Sequence, residues 1–579
     1  MTTGSLLAAD LVIAVLAAAT WLGGGAAAAA RRRPLAQGLA AVALLATLAR
    51  AITVTALARA GWWFAAEKVL IAGPLSLAAV GVAGPRLLRA AGDIRAVVLP
   101  LLFAGYATTS ALLVTVLHGY PASVGAGLLA LAGVVAATVI SGRALGARPS
   151  RTVSRVTVGV AVAALVTGTG LTVAPAASPA VPHDHVFPEA RISDEPDRRF
   201  TLTAGTATVN ADGRDVAAWA FNAQVPGPEL TATVGDVLEV TLRNRDVGRG
   251  VTLHWHGYDV PNDQDGVPGV TQAAVRPGQE FVYRFRADQA GTYWYHTHSA
   301  SDVGVRMGLY GVLVVRPGPV TGLDVTVPVH TLAGRPLPTP KLERVEPGVP
   351  VRLRLINTDS TTHRYALAGT AFHVAAIDGV DLRGPTPLVD TAVLIPAGGR
   401  YDLVFDAPAN AVALFVDGRV TYSTGAVSTA TGDWPVLDPL GYGASAPAPW
   451  SGFDKSFTLV LDRGLDLRSL LPRYAHTVNG AADPDIPPQV VRRGDVVLFT
   501  IVNRSQIVHP WHLHGHHVLV LARDGKPAAG GPLWLDSFDV RPGEVWQVAF
   551  RADNPGMWAN HCHNLAHADA GMTLHLMYS

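Results

Sequence analysis

The stretch HCHNLAHADAGM, from His561 to Met572, contains the single cysteine of a 579-residue chain. Side chains on a β-strand alternate between its two faces. His561 and His563 are therefore expected to project one way and Cys562 the other, so that one tripeptide addresses two places. With one cysteine no intrachain disulfide can form, and stability must come from burial and from bound metal. An upstream segment, HPWHLH from His509 to His514, adds three more rings. Cys562 with His509 and His567, and Met572 as a weak axial ligand, makes the donor set of a blue-copper electron-transfer site. Zinc is the rival metal, but structural zinc sites commonly pair cysteines and use four ligands in all.

Two further clusters lie far upstream, HWH at His254 to His256 and HTH at His296 to His298. Each His-x-His pair, including His512 with His514 and His561 with His563, directs two imidazoles to one side of its strand. Four such pairs supply eight ligands to a multinuclear site. The isolated His118, His330, His363, His373, His476 and His575 read as structural or surface residues. His516 and His517 are not needed to fill any site, nor are His183 and His185.

Comparison of the chain with itself shows the frame that carries these clusters. Gly235, Gly348 and Gly494 each stand nine residues before an asparagine: Asn244, Asn357 and Asn503. Gly278, Gly398 and Gly543 each precede a phenylalanine by seven: Phe285, Phe405 and Phe550. Alternating strands with Gly/Pro turns at this frequency predict three antiparallel β-sandwiches in tandem. Gly278 precedes His296 by eighteen residues and Gly543 precedes His561 by eighteen, whereas the middle copy has Val416 at that place. The middle sandwich is expected to be a spacer.

Ahead of the repeats the composition changes. Residues 1–175 hold 13 Lys/Arg and 3 Asp/Glu, and the remainder holds 32 and 41. An acidic soluble part without a basic face excludes a nucleic-acid partner. Apolar runs at 6–29, 35–57, 62–82, 96–117, 123–140 and 156–173 predict about six helical spans and hence a lipid bilayer as partner. Arg31 to Arg33, then Arg86, Arg89 and Arg95, then Arg143, Arg148, Arg151 and Arg155 make every second connection basic. The positive-inside tendency puts those connections in the cytoplasm and everything after the sixth span outside, as in a multi-pass cell-membrane protein. His118 is the one histidine of this region, which offers neither haem nor copper ligands, so an anchor is expected. Arg50, Arg59, Glu67 and Lys68 are ionisable groups in or near spans. The expectation for Glu67 and Lys68 is snorkelling or a pair with Arg59. The Pro/Ala-rich stretch at 174–190 is a boundary whose APAAS run also mimics a cleavage site, with retention expected over release. The expected domains are a transmembrane region 1–176, a linker 177–195, and sandwiches 196–318, 319–445 and 446–579. A piece beginning near Val186 is expected to fold and work without the helices.

The four clusters closely resemble those of the multicopper oxidase family, as do FNAQVPGP at Phe221, DGVPGVTQ at Asp265, GTYWYHTH at Gly291 and TVNG at Thr477. The resemblance implies three cupredoxin-like Greek-key domains and four copper ions. By motif position His254 and His512 would hold a type 2 copper. His256, His296 and His563 would hold one type 3 copper, and His298, His514 and His561 the other. It further implies that small donors give up single electrons at type 1 copper, that these cross through Cys562 to His561 and His563, and that four electrons reduce dioxygen to water. Asp265 occupies a place where relatives have an acid that supplies protons, and capping the DGVPG turn is its other reading. The position after His567 is Ala568 where many bacterial relatives have an acid, and Asp569 is the substitute. Few methionines and Ser505 four residues before His509 disfavour a cuprous-ion pocket, so laccase-like oxidation of phenolic or other organic donors is expected first. Metal-ion oxidation in copper tolerance comes second, and a non-enzymatic copper-binding scaffold is the rival outside catalysis.

Overall fold

The structure, a computed structural model, describes residues 1–89, 94–146, 151–173, 195–337, 345–427, 429–466 and 472–579. Nearly all of the linker expected at 177–195, with His183 and Val186, lies outside them, as does Arg148.

Six helices come first: α1 (Thr3–Ala29), α2 (Arg33–Ala60), α3 (Gly73–Arg89), α4 (Val98–Leu117), α5 (Val124–Ala144) and α6 (Arg151–Val173). A π-helical turn, Lys68–Ala72, leads into α3. Small residues face the neighbouring helices, with Ala36, Ala43, Ala104 and Ala107 fully buried, while Leu45, Leu48, Ile52 and Val166 point outward. Close approach through alanine and an apolar exterior suit helices surrounded by lipid. Thr3–Ala29, Arg33–Ala60, Lys68–Leu87, Val98–Leu117 and Val124–Ala144 are long and apolar enough to cross a membrane. The apolar part of α6, Thr157–Leu171, is shorter.

From residue 195 onward the chain is mostly strand, arranged as three pairs of facing sheets. The first pair sets Arg214–Phe221, Arg198–Ala211, Val237–Asn244 and Glu280–Arg286 against Leu230–Thr233, Tyr310–Arg316, Gly291–His296 and His254–His256. Each unit contains a parallel strand pair at the same place: Arg198 to Ala204 on Leu238 to Asn244, Leu323–Val329 on Val351 to Asn357, and Lys455 to Leu461 on Val497 to Asn503. The threefold sequence pattern has a physical reason. Asn244 Nδ2 donates to the carbonyls of Val247 and Val275, Asn357 Nδ2 to Thr361 and Ile395, and Asn503 Nδ2 to Ile507 and Val540. One buried amide thus ties the end of a strand to the start of the loop below it, three times over. The glycines nine residues earlier adopt φ of 99°, 87° and 96°, a left-handed turn that a side chain would strain,.

The helical part is not merely tethered to the sandwiches, and the pair expected between Glu67 and Arg59 is not made. Glu67 is fully buried, 2.6 Å from Lys68, and takes both arms of Arg504 from the third sandwich at 2.9 and 2.8 Å. Arg504 Nε also lies 3.0 Å from Asp462. On the bundle side Arg50 pairs with Asp10 at 3.4 Å. Leu7, Leu57, Phe64, Val460 and Val502 form one apolar cluster around this seam. Glu67 stays in the seam because a guanidinium fork matches a carboxylate, whereas snorkelling would leave both arms of the buried Arg504 unpaired, with only Asp462 beside its Nε,.

Candidate metal centre

The strand His254–His256 pairs with Gly291–His296 so that His254 faces His296 across the ladder. In the third unit His509–Leu513 pairs with Met557–Cys562, setting His512 opposite His561 and Trp511 opposite Cys562. Strand alternation then does what the sequence implied. The His face of both ladders meets at the boundary of the first and third sandwiches, and Cys562 turns inward to the core of the third.

Eight imidazoles converge there. His256, His296 and His563 present ring nitrogens within 4.8 Å of one another, and so do His298, His514 and His561, and His254, His256 and His512. Five rings are fixed at Nδ1: His254 and His514 donate to the Asp265 carboxylate at 3.0 Å, His512 to the Asp536 carbonyl at 2.8 Å, His296 to that of Thr297 and His561 to that of Cys562, both at 3.0 Å. Such second-shell bonds select the tautomer and leave Nε2 as the lone-pair nitrogen. His254 Nε2 and His512 Nε2 then face each other at 3.5 Å, and His514 Nε2 and His561 Nε2 at 3.1 Å. His256 Nδ1, His296 Nε2, His298 Nε2 and both nitrogens of His563 are buried without a partner among the described residues. Burial, with repulsion between neighbouring rings, holds His256, His296, His298, His512, His514 and His563 well below the usual imidazole range, so they are neutral donors,. Facing lone pairs in a buried pocket repel unless cations lie among them. The donor set fits a multinuclear metal cluster.

On the other face of the same strand Cys562 Sγ lies 3.6 Å from both His509 Nδ1 and His567 Nδ1. Met572 is fully buried in the same core, and its carbonyl accepts from the Cys562 amide at 3.1 Å. His567 sits on a short helix, α8 (Leu565–Asp569), capped by the Asn564 side chain. His509 Nε2 is held by Ser505 Oγ at 3.0 Å. Burial pushes the Cys562 thiol up, and a bound metal would have to displace its proton,.

Several residues were missed from sequence. The middle sandwich lacks ligands, yet it is more than the expected spacer. Gly398 comes so close that a Cβ there would stand 2.7 Å from His256 Cε1 and 3.2 Å from His563 Nδ1. Arg400 donates to both oxygens of Asp536 at 2.7 and 2.6 Å, and Asp536 lies 3.3 Å from His256 Nε2. Asp378 accepts from the amides of Asp536 and Ser537. His517 reaches Asp536 at 3.4 Å and Asp259 at 3.5 Å. The isolated His476 stacks on His567 with ring centroids 4.1 Å apart. The signal available for Gly398 and Arg400 was the middle copy's own GGR turn, since Gly398 belongs to the threefold pattern. For His476 it was the TVNG motif that follows. Asp569, the substitute acid, faces Ser301 and Asp302 of α7 (Ser301–Arg306), and Asp265 contacts the rings.

A sulfur-containing mononuclear site and an eight-imidazole cluster, linked by one tripeptide inside cupredoxin-like sandwiches, define a copper-dependent oxidoreductase. Residues 203–319 and 465–579 each match a family model described as multicopper oxidase. Over 65% of this chain and 86% of its own length, the multicopper oxidase MmcO of Mycobacterium tuberculosis is 28% identical. Laccase-1 of Botryotinia fuckeliana is 27% identical over 66% of this chain and 82% of its own. The crystal structure of a multicopper oxidase from Pseudomonas thermotolerans superposes with a TM-score of 0.56 at 29% identity, covering 66% of this chain and 99% of that one. The chain thus carries two multicopper oxidase domains and is similar to multicopper oxidases across its β-rich part, and multicopper oxidases bind four copper ions as type 1, type 2 and a type 3 pair.

Proposed function

We propose that the chain is a multi-pass protein of the cell membrane whose copper domains face the extracytoplasmic side, and that it couples oxidation of small organic donors to reduction of dioxygen to water. In this reading His509, Cys562, His567 and Met572 hold type 1 copper, and His254 and His512 type 2. His256, His296 and His563 hold one type 3 ion, and His298, His514 and His561 the other. Copper, when bound, supplies one-electron redox steps and the binding of dioxygen. The observation that carries the reading is the tripeptide His561–Cys562–His563, whose three side chains reach both sites and whose backbone joins them, giving electrons a short covalent route.

The chain's own residues do the rest. Asp265 pins His254 and His514 and, as the acid in contact with the rings, is placed to pass protons to reduced oxygen,. Asp536, held by Arg400, orients His512 and His256. Ser505 fixes His509 with a neutral hydroxyl rather than a carboxylate that could help bind a metal-ion donor, which favours organic donors. Copper analysis with an oxygen electrode tests the proposal. Four coppers per chain and oxygen uptake with phenolic donors are expected, and variable copper without turnover would leave a scaffold.

A further inference from the structure

A cavity of about 550 Å³ lies in the seam between the helical part and the third sandwich. Its floor is helical: Leu113 of α4, Gly133 of α5 and Leu171 of α6, of which Leu113 and Leu171 are half exposed on the outward face of the bundle. Its roof is the hairpin of Lys455–Asp466 and Arg473–Val478, which contributes Asp466 and Thr477. The volume suits a small ligand of mixed polarity. Tyr474 Oη donates to the Val116 carbonyl at 3.2 Å, and a Cβ on Gly464 would stand 3.3 Å from the Leu117 carbonyl oxygen, so the hairpin rests directly on the end of α4.

The position of this hairpin gives the cavity its meaning. Thr477 faces the cavity, and His476, one residue earlier on the strand, projects the opposite way, where its ring stacks on His567 at 4.1 Å and stands 5.7 Å from His509,. One strand therefore separates a space open to the lipid-facing side of the helices from the sulfur-containing metal site. We propose that this cavity binds a lipid-dissolved quinol and that His476 carries its electrons to His567. The inference rests on the oxidase reading and on the helices spanning a membrane. An apolar ring system suits the leucine floor, and its hydroxyls suit the Asp466 and Thr477 roof. Each quinol loses two electrons, one at a time, and two hydroxyl protons, which leave to water at the seam past Asp466. Two quinols and one dioxygen yield two quinones and two waters.

The test uses the full chain in phosphatidylcholine nanodiscs, with decylubiquinol as lipid-phase donor and 2,6-dimethoxyphenol as soluble donor. Gly133→Leu narrows the cavity from the helices, and Ala481→Phe narrows it from the sandwich, where Ala481 follows the hairpin and also lines the cavity, two independent routes in case one variant fails to fold. The ratio of quinol to phenol oxidation is expected to fall about ten-fold in either variant at unchanged copper content. An azidoquinone should also photolabel the α4 and hairpin peptides of the copper-depleted wild type, and less so the variants. Labelling elsewhere, or an unchanged ratio, overturns the inference, with a lipid tail then the occupant. A copper-replete wild type that oxidises neither donor overturns the oxidase reading instead.

Discussion

In the proposed assignment Cys562 is the residue on which both metal sites depend, because its side chain faces one and its neighbours the other. Cys562→Ser keeps the fold's volume but removes the thiolate. The expected outcome is loss of the intense visible copper–thiolate absorption and of donor oxidation, with the eight-imidazole cluster still loaded, as paramagnetic resonance of the remaining type 2 copper would report. His517 allows a second prediction. Burial alone would lower its ring, but Asp259 and Asp536 outweigh burial and hold it up at about 9. A raised folded value means that the stabilisation is complete below the ordinary imidazole value near 6.5 and is lost as pH rises through 9,. His517→Ala should therefore lower stability by roughly 2 kcal/mol at pH 6 and by much less at pH 10, as denaturant titrations at the two pH values would show.

At the scale of elements, the turn that brings Gly398 to the cluster is the most demanding. It combines a φ of 84° with a missing side chain that would meet His256 and His563. Gly398→Val should displace those rings and lower copper occupancy by about ten-fold or more while the other two sandwiches melt normally, which metal analysis beside calorimetry would separate. Much of the site was legible in the sequence because strand alternation is strict: a His-x-His pair has little choice but to face one way, and an intervening Cys must face the other. The three sandwiches were legible for a similar reason, since Asn244, Asn357 and Asn503 repeat a buried bond that tolerates no other side chain well. Gly398, Arg400, Asp378 and His476 were not legible as site residues. Their roles depend on how separate sandwiches dock, and neither period nor spacing within one unit encodes that. The same holds for Glu67, whose partner Arg504 lies in another domain.

For the whole molecule, the seam between bundle and third sandwich replaces the picture of an independent soluble part. Arg504→Ala leaves Glu67 and Asp462 buried with one cation fewer, and should cost about 3 kcal/mol or more in the melting of the full chain,. A piece beginning near Val186 would expose Arg504, Val460 and Val502, so reduced solubility is now expected of it, by light scattering against the full chain. Orientation is open to a cysteine-labelling experiment, because Cys562 is buried and contributes no background. Ser178→Cys should react with an impermeant maleimide added to intact cells, and Ala144→Cys only after lysis. The reverse pattern would invert the topology.

The Arg504–Glu67 pair also has a consequence for how the chain is made. Synthesis runs from the amino end, so the carboxylate and the bundle around it are complete while the last sandwich is still to be translated. That sandwich then docks on a surface already charged to receive it. Until docking, Ser505 and with it His509 belong to a loop whose arginine has Asp462 beside it but not yet Glu67. Assembly order thus becomes a checkpoint, in which the site around His509 and Cys562 acquires its final shape after the helical part is in place. Chains arrested before residue 504 should retain a bundle whose Glu67 still answers to carbodiimide, and completed chains should protect it.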